Sequence, residues 1–187
     1  SREGNVVDAD RIRTEMIELA LEEIKERYPK LNVKEKKKRA EIIGIGALKF
    51  FVLKYGREKD FVYNPKESIS FQGETGPYVQ YAHARICSVL KKAEKESSEF
   101  SININKLNTE SLNHPLEREL TIKLGNFEQV VESAANNYDS SEVANYLISL
   151  SQLFNKYYHE VQILNNEKDK TNNSNTSEIS IKNNEKK

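Results

Sequence analysis

The sequence predicts an all-α fold, a helical bundle, with a short extended or loop segment near residues 60–72 and a polar, disordered tail over 165–187. Three observations predict it. Apolar residues recur at three- and four-residue intervals over long stretches, the period that returns side chains to one face of an α-helix. Charged residues make up 31% of the 187 while glycine and proline number only 7 and 4, a balance that favours helices over a turn-rich β fold. Asp8, Asn32 and Ser140 stand just before such stretches, where a side-chain oxygen can accept an otherwise orphaned helical N–H.

The elements follow in order. Asp8 or Asp10 caps a helix over about residues 9–28, with Ile12, Met16, Leu19, Ala20 and Ile24 on one side, and Pro29 closes it. Asn32 caps a second, over about residues 33–55. Its first half is a charge run, Lys34 to Arg39, which reads either as a solvated helix start, the usual role of such runs, or as a phosphate-facing patch. Its second half, residues 42–53, is almost wholly apolar and must be buried against other helices, with Gly44 and Gly46 allowing close approach. Gly56, Asn64-Pro65 and the alternation of Phe61 and Tyr63 predict a loop with a short extended piece. Gly73 and Gly76 then turn the chain into a helix over about 76–95, whose first turn tolerates Pro77. A polar linker, 96–109, follows.

His114-Pro115 starts a helix through Leu120, Ile122 and Leu124. Gly125 and Phe127 lead into another with Val130, Val131 and Ala134, which Asn136-Asn137 breaks. Ser140 or Ser141 caps the last helix, over about 142–164. Val143, Leu147, Leu150, Phe154 and Val161 line one face of it, widened by Tyr146, Leu153 and Tyr157. Beyond Leu164 only Ile179 and Ile181 are sizeable apolar residues, too few to offset the chain entropy of folding.

Composition excludes several classes. Formal net charge is zero, from 29 basic and 29 acidic residues, which argues against a generic DNA-coating protein but leaves room for a local basic face on RNA. The single cysteine, Cys87, excludes an intramolecular disulfide and a cysteine-based zinc site. No apolar run approaches a membrane span and no signal-peptide pattern precedes the first helix, so a soluble cytoplasmic protein is expected, with no membrane partner. No Ser-His-Asp, Cys-His or glycine-rich phosphate loop is visible, so no catalysis is expected of this stretch alone. His83 and Cys87, four residues apart on a helix, have a spacing that can serve a metal. Two further ligands would be needed and neither His114 nor His159 has a supporting spacing, so no metal is expected.

Residues 73–85 (GETGPYVQYAHAR) carry the most functional information. Winding at about 100° per residue puts Val79, Ala82, Ile86, Leu90 and Ala93 on one stripe, a core face. Tyr78, Tyr81, Arg85, Ser88 and Lys92 fall on a second stripe centred roughly 140° away. Two rings, a guanidinium, a hydroxyl and an ammonium suit stacking bases and neutralising phosphates. Tyrosines at this spacing equally serve as half-buried packing residues with a wet hydroxyl. Geometry alone leaves both readings open.

The residue order goes further. Phe71, Gly73, Thr75, Pro77, Tyr78, Gln80, Tyr81, Ala82, His83 and Arg85 fill the pattern F-x-G-x-T-x-P-Y-x-Q-Y-A-H-x-R, and in this the segment resembles the start of the helical anticodon-binding domain of arginyl-tRNA synthetases. Three other stretches carry the same resemblance: the Ile42–Phe51 run (IIGIGALKFF); Asp60-Phe61-Val62-Tyr63 with Ile69-Ser70-Phe71; and Tyr146-Leu147, Leu150-Ser151, Phe154-Asn155, Tyr157-Tyr158 and Ile163-Leu164. Pro115-Leu116-Glu117 through Leu124 approximates a further family pattern. Ser1, Arg2, Gly4 and Asn5, with Val6 and Val7, resemble the second half of the family's class I signature loop. The chain departs from the family after Leu164, where the usual A-R-L-x-L helix, L-L-G-I and terminal P-E-x-M are absent.

The resemblance implies a bundle of the class I synthetase anticodon-binding type within a longer protein. Residues 1–72 would hold the end of the signature loop and connecting helices, 73–164 the anticodon-binding domain, and 165–187 a low-complexity tail. The signature loop would close on ATP phosphates in the intact enzyme, which uses ATP and Mg²⁺ to arginylate tRNA. The chain itself would bind neither cofactor and be inactive alone. Its partners would be tRNA(Arg) and an upstream catalytic domain, with no DNA. Carried over residue by residue, the resemblance favours Tyr78 and Tyr81 for stacking or edge contacts with the anticodon loop, and Asn155 and Tyr158 from the last helix. Arg85 is placed on a phosphate or base edge, or in an intradomain salt bridge. The competing reading is a free-standing helical interaction module descended from such a domain, binding a protein partner.

Overall fold

The computed structural model describes residues 8–56, 58–96 and 112–164. They form the helices α1 (Ala9–Arg27), α2 (Val33–Leu53), α3 (Pro65–Ser68), α4 (Gly76–Glu96), α5 (Pro115–Gly125), α6 (Phe127–Asn137) and α7 (Ser141–Glu160), with no strand among the described residues. The expected signature-loop remnant (Ser1, Arg2, Gly4, Asn5), nearly all of the polar linker and the tail lie outside them.

α1 and α2 fold back on each other as a helical hairpin. Asp8 accepts from the Asp10 N–H at 3.1 Å and Asn32 from the Glu35 N–H at 2.8 Å, so each helix starts on a side-chain cap. Met16, Ala20 and Ile24 of α1 meet Ala40 and Ala47 of α2 and Ile69 from the following loop in a buried cluster. The small residues let the two backbones approach closely. A Cβ built on Gly44 would lie 2.7 Å from the Met16 carbonyl oxygen. The Lys34–Arg39 run is a solvated face with local pairing: Arg39 donates to Glu35 at 2.9 Å, and that hydrogen bond holds the Glu35 carboxyl below its usual range.

The loop after α2 differs from expectation in one respect. Residues 59–64 are irregular, but Asn64 then accepts from the Glu67 N–H at 3.3 Å and Pro65 sets a single helical turn, α3, inside the segment expected to be extended or loop. The alternation of Phe61 and Tyr63 has a packing cause. Both rings meet Phe51 edge-on, at 5.5 and 5.2 Å between centroids, and Phe61 also stacks on Tyr55 at 4.9 Å. The loop is thereby held against the end of α2.

α7 is the hub of the second half, packing against α4, α5, α6 and α2. It is buried on more than the expected stripe: Ala144, Tyr146, Ile148 and Ser151 are its buried interior, while Val143, Leu147, Leu150 and Phe154 are only partly covered. Tyr146 donates to the Lys123 carbonyl at 2.9 Å. Tyr157 donates to Glu117 at 3.0 Å, and the other oxygen of Glu117 accepts from the His114 N–H at 2.9 Å. Burial, then that carboxylate, push the Tyr157 phenol above its usual range. The cap of α7 also differs from expectation. Neither Ser140 nor Ser141 caps it with a side chain; Asp139 accepts from the Ser141 N–H at 2.9 Å instead. The helix ends at Glu160, short of Leu164.

α6 ends at Asn137, within the Asn136-Asn137 pair expected to break it, and is closed by its C-cap Tyr138, whose φ of 53° is left-handed. The Asp139 N–H reaches back to the Ala134 carbonyl at 2.9 Å and the Tyr138 N–H to Ala135 at 3.3 Å, the pattern of a Schellman motif. Glycine is the usual residue at that position, because a Cβ there costs about 1–2 kcal/mol. Tyr138 is 83% exposed, so its ring contributes little burial in return. Tyr138→Gly is therefore expected to raise the free energy of unfolding by roughly 1 kcal/mol, read as a higher urea midpoint at unchanged slope. An unchanged or lowered midpoint would contradict it.

Candidate nucleic-acid interface

α4 is positioned by the residues that precede and open it. Gly73, at φ +80°, makes a turn that a side chain would strain. Thr75 is buried; its hydroxyl donates to the Ser70 carbonyl at 2.6 Å and accepts from the Tyr78 N–H at 3.2 Å, capping the helix. Gly76 lies against α2, where an added Cβ would meet the Gly46 oxygen and Phe50 Cβ, both at 2.9 Å. Gln80 packs on Gly46 and donates to the Ile42 carbonyl at 3.4 Å. Gly73, Thr75, Gly76, Pro77 and Gln80 thus dock the helix, leaving Tyr81 exposed and Arg85 partly covered at the α7 side.

The expected core stripe is only partly buried. Ala82 and Ala93 are buried and Val79 is partly so, but Ile86 and Leu90 are exposed at 38% and 41%. The cause is the direction from which neighbours come. α2 and α7 cover the side bearing Tyr78, Ala82, Arg85, Val89 and Ala93, and no described helix covers the Ile86–Leu90 flank.

Four of the five residues expected to touch RNA come together. Arg85 donates through Nη1 to Asn155 Oδ1 at 2.6 Å and through Nη2 to the Tyr81 hydroxyl at 2.8 Å. Its guanidinium carbon lies 4.6 Å from the ring centroids of both Tyr81 and Tyr158. Tyr158 also leans on Phe154 at 6.1 Å. The cluster ties α4 to α7 and keeps Tyr81 46% and Tyr158 39% exposed. Tyr78, one turn before Tyr81 and partly buried, is not part of these contacts.

The intramolecular partner of Arg85 is an amide, not the carboxylate of a salt bridge. No carboxylate among the described residues forms a salt bridge with it. The two hydrogen bonds use two of the five guanidinium donors. A cation sandwiched between two half-exposed rings can offer ring faces to bases and charge to a phosphate at once.

His83 and Cys87 are in contact, with Cys87 Sγ 3.6 Å from His83 Nε2. Among the described residues no group of three or more His, Cys, Asp or Glu is placed to hold a metal ion. No helix among them is long and apolar enough to cross a membrane.

This all-helical bundle, with its aromatic and basic outer face on α4 and α7, belongs to the DALR anticodon binding domain family, whose model matches residues 79–175, just over half of the chain. Among individual proteins, the arginine–tRNA ligase of Treponema denticola is 41% identical over 167 residues, covering 89% of this chain and 28% of that protein. The arginine–tRNA ligase of Lactococcus lactis subsp. lactis is 40% identical over 164 residues, covering 88% of this chain and again 28% of the relative. Among solved structures, the Thermus thermophilus arginyl-tRNA synthetase superposes with a TM-score of 0.71 at 31% identity, covering 86% of this chain and 25% of that one. The Plasmodium falciparum arginyl-tRNA synthetase is similar in fold, at a TM-score of 0.70 and 24% identity, over 89% of this chain and 29% of that one. The chain therefore spans about 28% of the length of the curated relatives it matches.

Proposed function

We propose that this chain is the tRNA-reading part of an arginine–tRNA ligase and that it selects tRNA(Arg) through the anticodon loop. In this reading a longer cytoplasmic protein arginylates tRNA with ATP and Mg²⁺. The described helices supply recognition and no reacting group. The observation that carries the reading is the Tyr81–Arg85–Asn155–Tyr158 cluster: two half-exposed rings held by one guanidinium. Unstacked loop bases are the readable part of RNA, and aromatic and guanidinium planes are what reads them. Family membership and the arginine–tRNA ligase relatives support the same partner.

The test is direct binding of a tRNA(Arg) transcript to the full chain. Tyr81→Ala combined with Tyr158→Ala is expected to weaken binding by a few kcal/mol, taking base stacking at about 1–3 kcal/mol per ring. Tyr78→Ala, measured alone, reports whether the ring outside the cluster also reaches RNA. Unchanged affinity in a double variant of native helical content would remove the RNA reading and favour a protein-interaction module.

A further inference from the structure

A broad groove of about 1210 Å³ opens beside Tyr81, between the tip of the α1–α2 hairpin, the loop before α4, and the facing sides of α4 and α7. It is larger than the roughly 300–1,000 Å³ of a site for one drug-sized molecule. Its floor is apolar, with Ile42, Ile86, Leu147 and Phe154, and its rim repeats the chemistry of the α4–α7 cluster. The Arg27 guanidinium lies 4.7 Å over the Phe71 ring, and that of Arg39 lies 5.9 Å over the half-exposed ring of Tyr28. Arg27, Arg39 and Lys66 line it against a single carboxylate, Glu23.

We propose that this groove continues the RNA interface. It takes the single-stranded nucleotides flanking those met by Tyr81 and Tyr158, with bases against Tyr28 and Phe71 and phosphates on Arg27 and Arg39. The proposal rests on the RNA reading above and extends it onto α1 and α2, before the span matched by the family model. Three features select this occupant. Guanidinium-over-ring pairs present flat faces that accept any base. The rim charge is complementary to a phosphate backbone. The groove is also continuous with the cluster, because Tyr81 and Phe154 belong to its wall. Arg27 and Arg39 do pair with Glu23 and Glu35, at 3.1 and 2.9 Å. Both pairs are exposed i,i+4 contacts, which contribute little and yield readily to a stronger anion.

The experiment titrates a tRNA(Arg) transcript against the full chain over a range of salt. Arg27→Gln with Arg39→Gln is expected to lower affinity about tenfold or more. It should also make the dependence of log K on log salt shallower by about 1.4, two phosphate contacts at about 0.7 each for a single strand. Tyr28→Ala is expected to lower affinity about tenfold and leave the slope unchanged. Wild-type affinity in all these groove variants, with binding lost in Tyr81→Ala/Tyr158→Ala, would overturn the groove and leave the RNA reading standing. No loss in any variant would remove both. A loss in the arginine double variant without a change of slope would also overturn the proposal, because the arginines would then act through the fold. So would a self-association that those two substitutions abolish, which would give the groove to a second copy.

Discussion

Gly44→Val is expected to lower the free energy of unfolding by about 3 kcal/mol or more, the upper range for forcing extra atoms into a packed core. A Cβ on Gly44 falls 2.7 Å from the Met16 carbonyl oxygen, 2.8 Å from its carbon and 2.9 Å from the Ile17 nitrogen. All three are backbone atoms of α1, so no side chain can swing aside, and the hairpin must separate or rotate. Either movement opens the cluster around Met16, which has no exposed surface. Gly44→Ala meets the same atoms with fewer of its own. Alanine favours a helix interior by about 1 kcal/mol over glycine, and the clash should outweigh that gain, for a net loss of about 1–2 kcal/mol. Gly125→Ala is the control. It lies in the last turn of α5 with nothing within 4 Å of an added Cβ, so the propensity gain stands alone and stability should rise slightly. Chemical denaturation of the three variants reads the contrast, and equal effects at the two glycines would refute a backbone-contact role for Gly44.

The same contact marks how far the sequence is legible. Gly44 and Gly46 inside an apolar run announce close approach, and the α1 core of Met16, Ala20 and Ile24 follows from three- and four-residue spacing. These are properties of single helices. What a single helix does not contain is the direction of its neighbours. Ile86 and Leu90 share a stripe with Ala82 and Ala93, yet α2 and α7 cover the alanines and leave the larger residues exposed. Tyr138 carries no signal for a left-handed cap, because glycine or asparagine is the residue that advertises one. At the candidate site, the family pattern mixes two kinds of residue that periodicity cannot separate. Thr75, Gly76 and Gln80 hold α4 on its neighbours, whereas Tyr81 is exposed and Arg85 reaches across to Asn155 of α7. The groove is not legible in the sequence for a related reason. Arg27 and Phe71, or Arg85 and Asn155, lie far apart along the chain, and only packing brings them together.

Arg85→Met is expected to weaken binding of a tRNA(Arg) transcript by roughly 3 kcal/mol, about a hundredfold, more than loss of either tyrosine ring alone. Arg85 differs from an ordinary phosphate-binding cation because it also sets the positions of two rings. Its guanidinium lies against Tyr81 and Tyr158, donates to the Tyr81 hydroxyl at 2.8 Å and is anchored from α7 by Asn155 at 2.6 Å. Methionine fills similar space but removes the charge, both hydrogen bonds and the planar surface between the rings. Lysine should restore the charge without the fork. Arg85→Lys is therefore expected to recover the salt dependence of binding while recovering little of the affinity. Asn155→Ala leaves the guanidinium in place and removes its anchor, so a smaller loss is expected. Its effect should not add to that of Arg85→Met: the two share one contact, and coupled residues of this kind show interaction energies of about 0.5–3 kcal/mol. Additive losses would mean that Asn155 touches RNA on its own account. Wild-type affinity in a folded Arg85→Met variant would mean that the cluster only joins α4 to α7, with its exposed rings serving packing and not recognition.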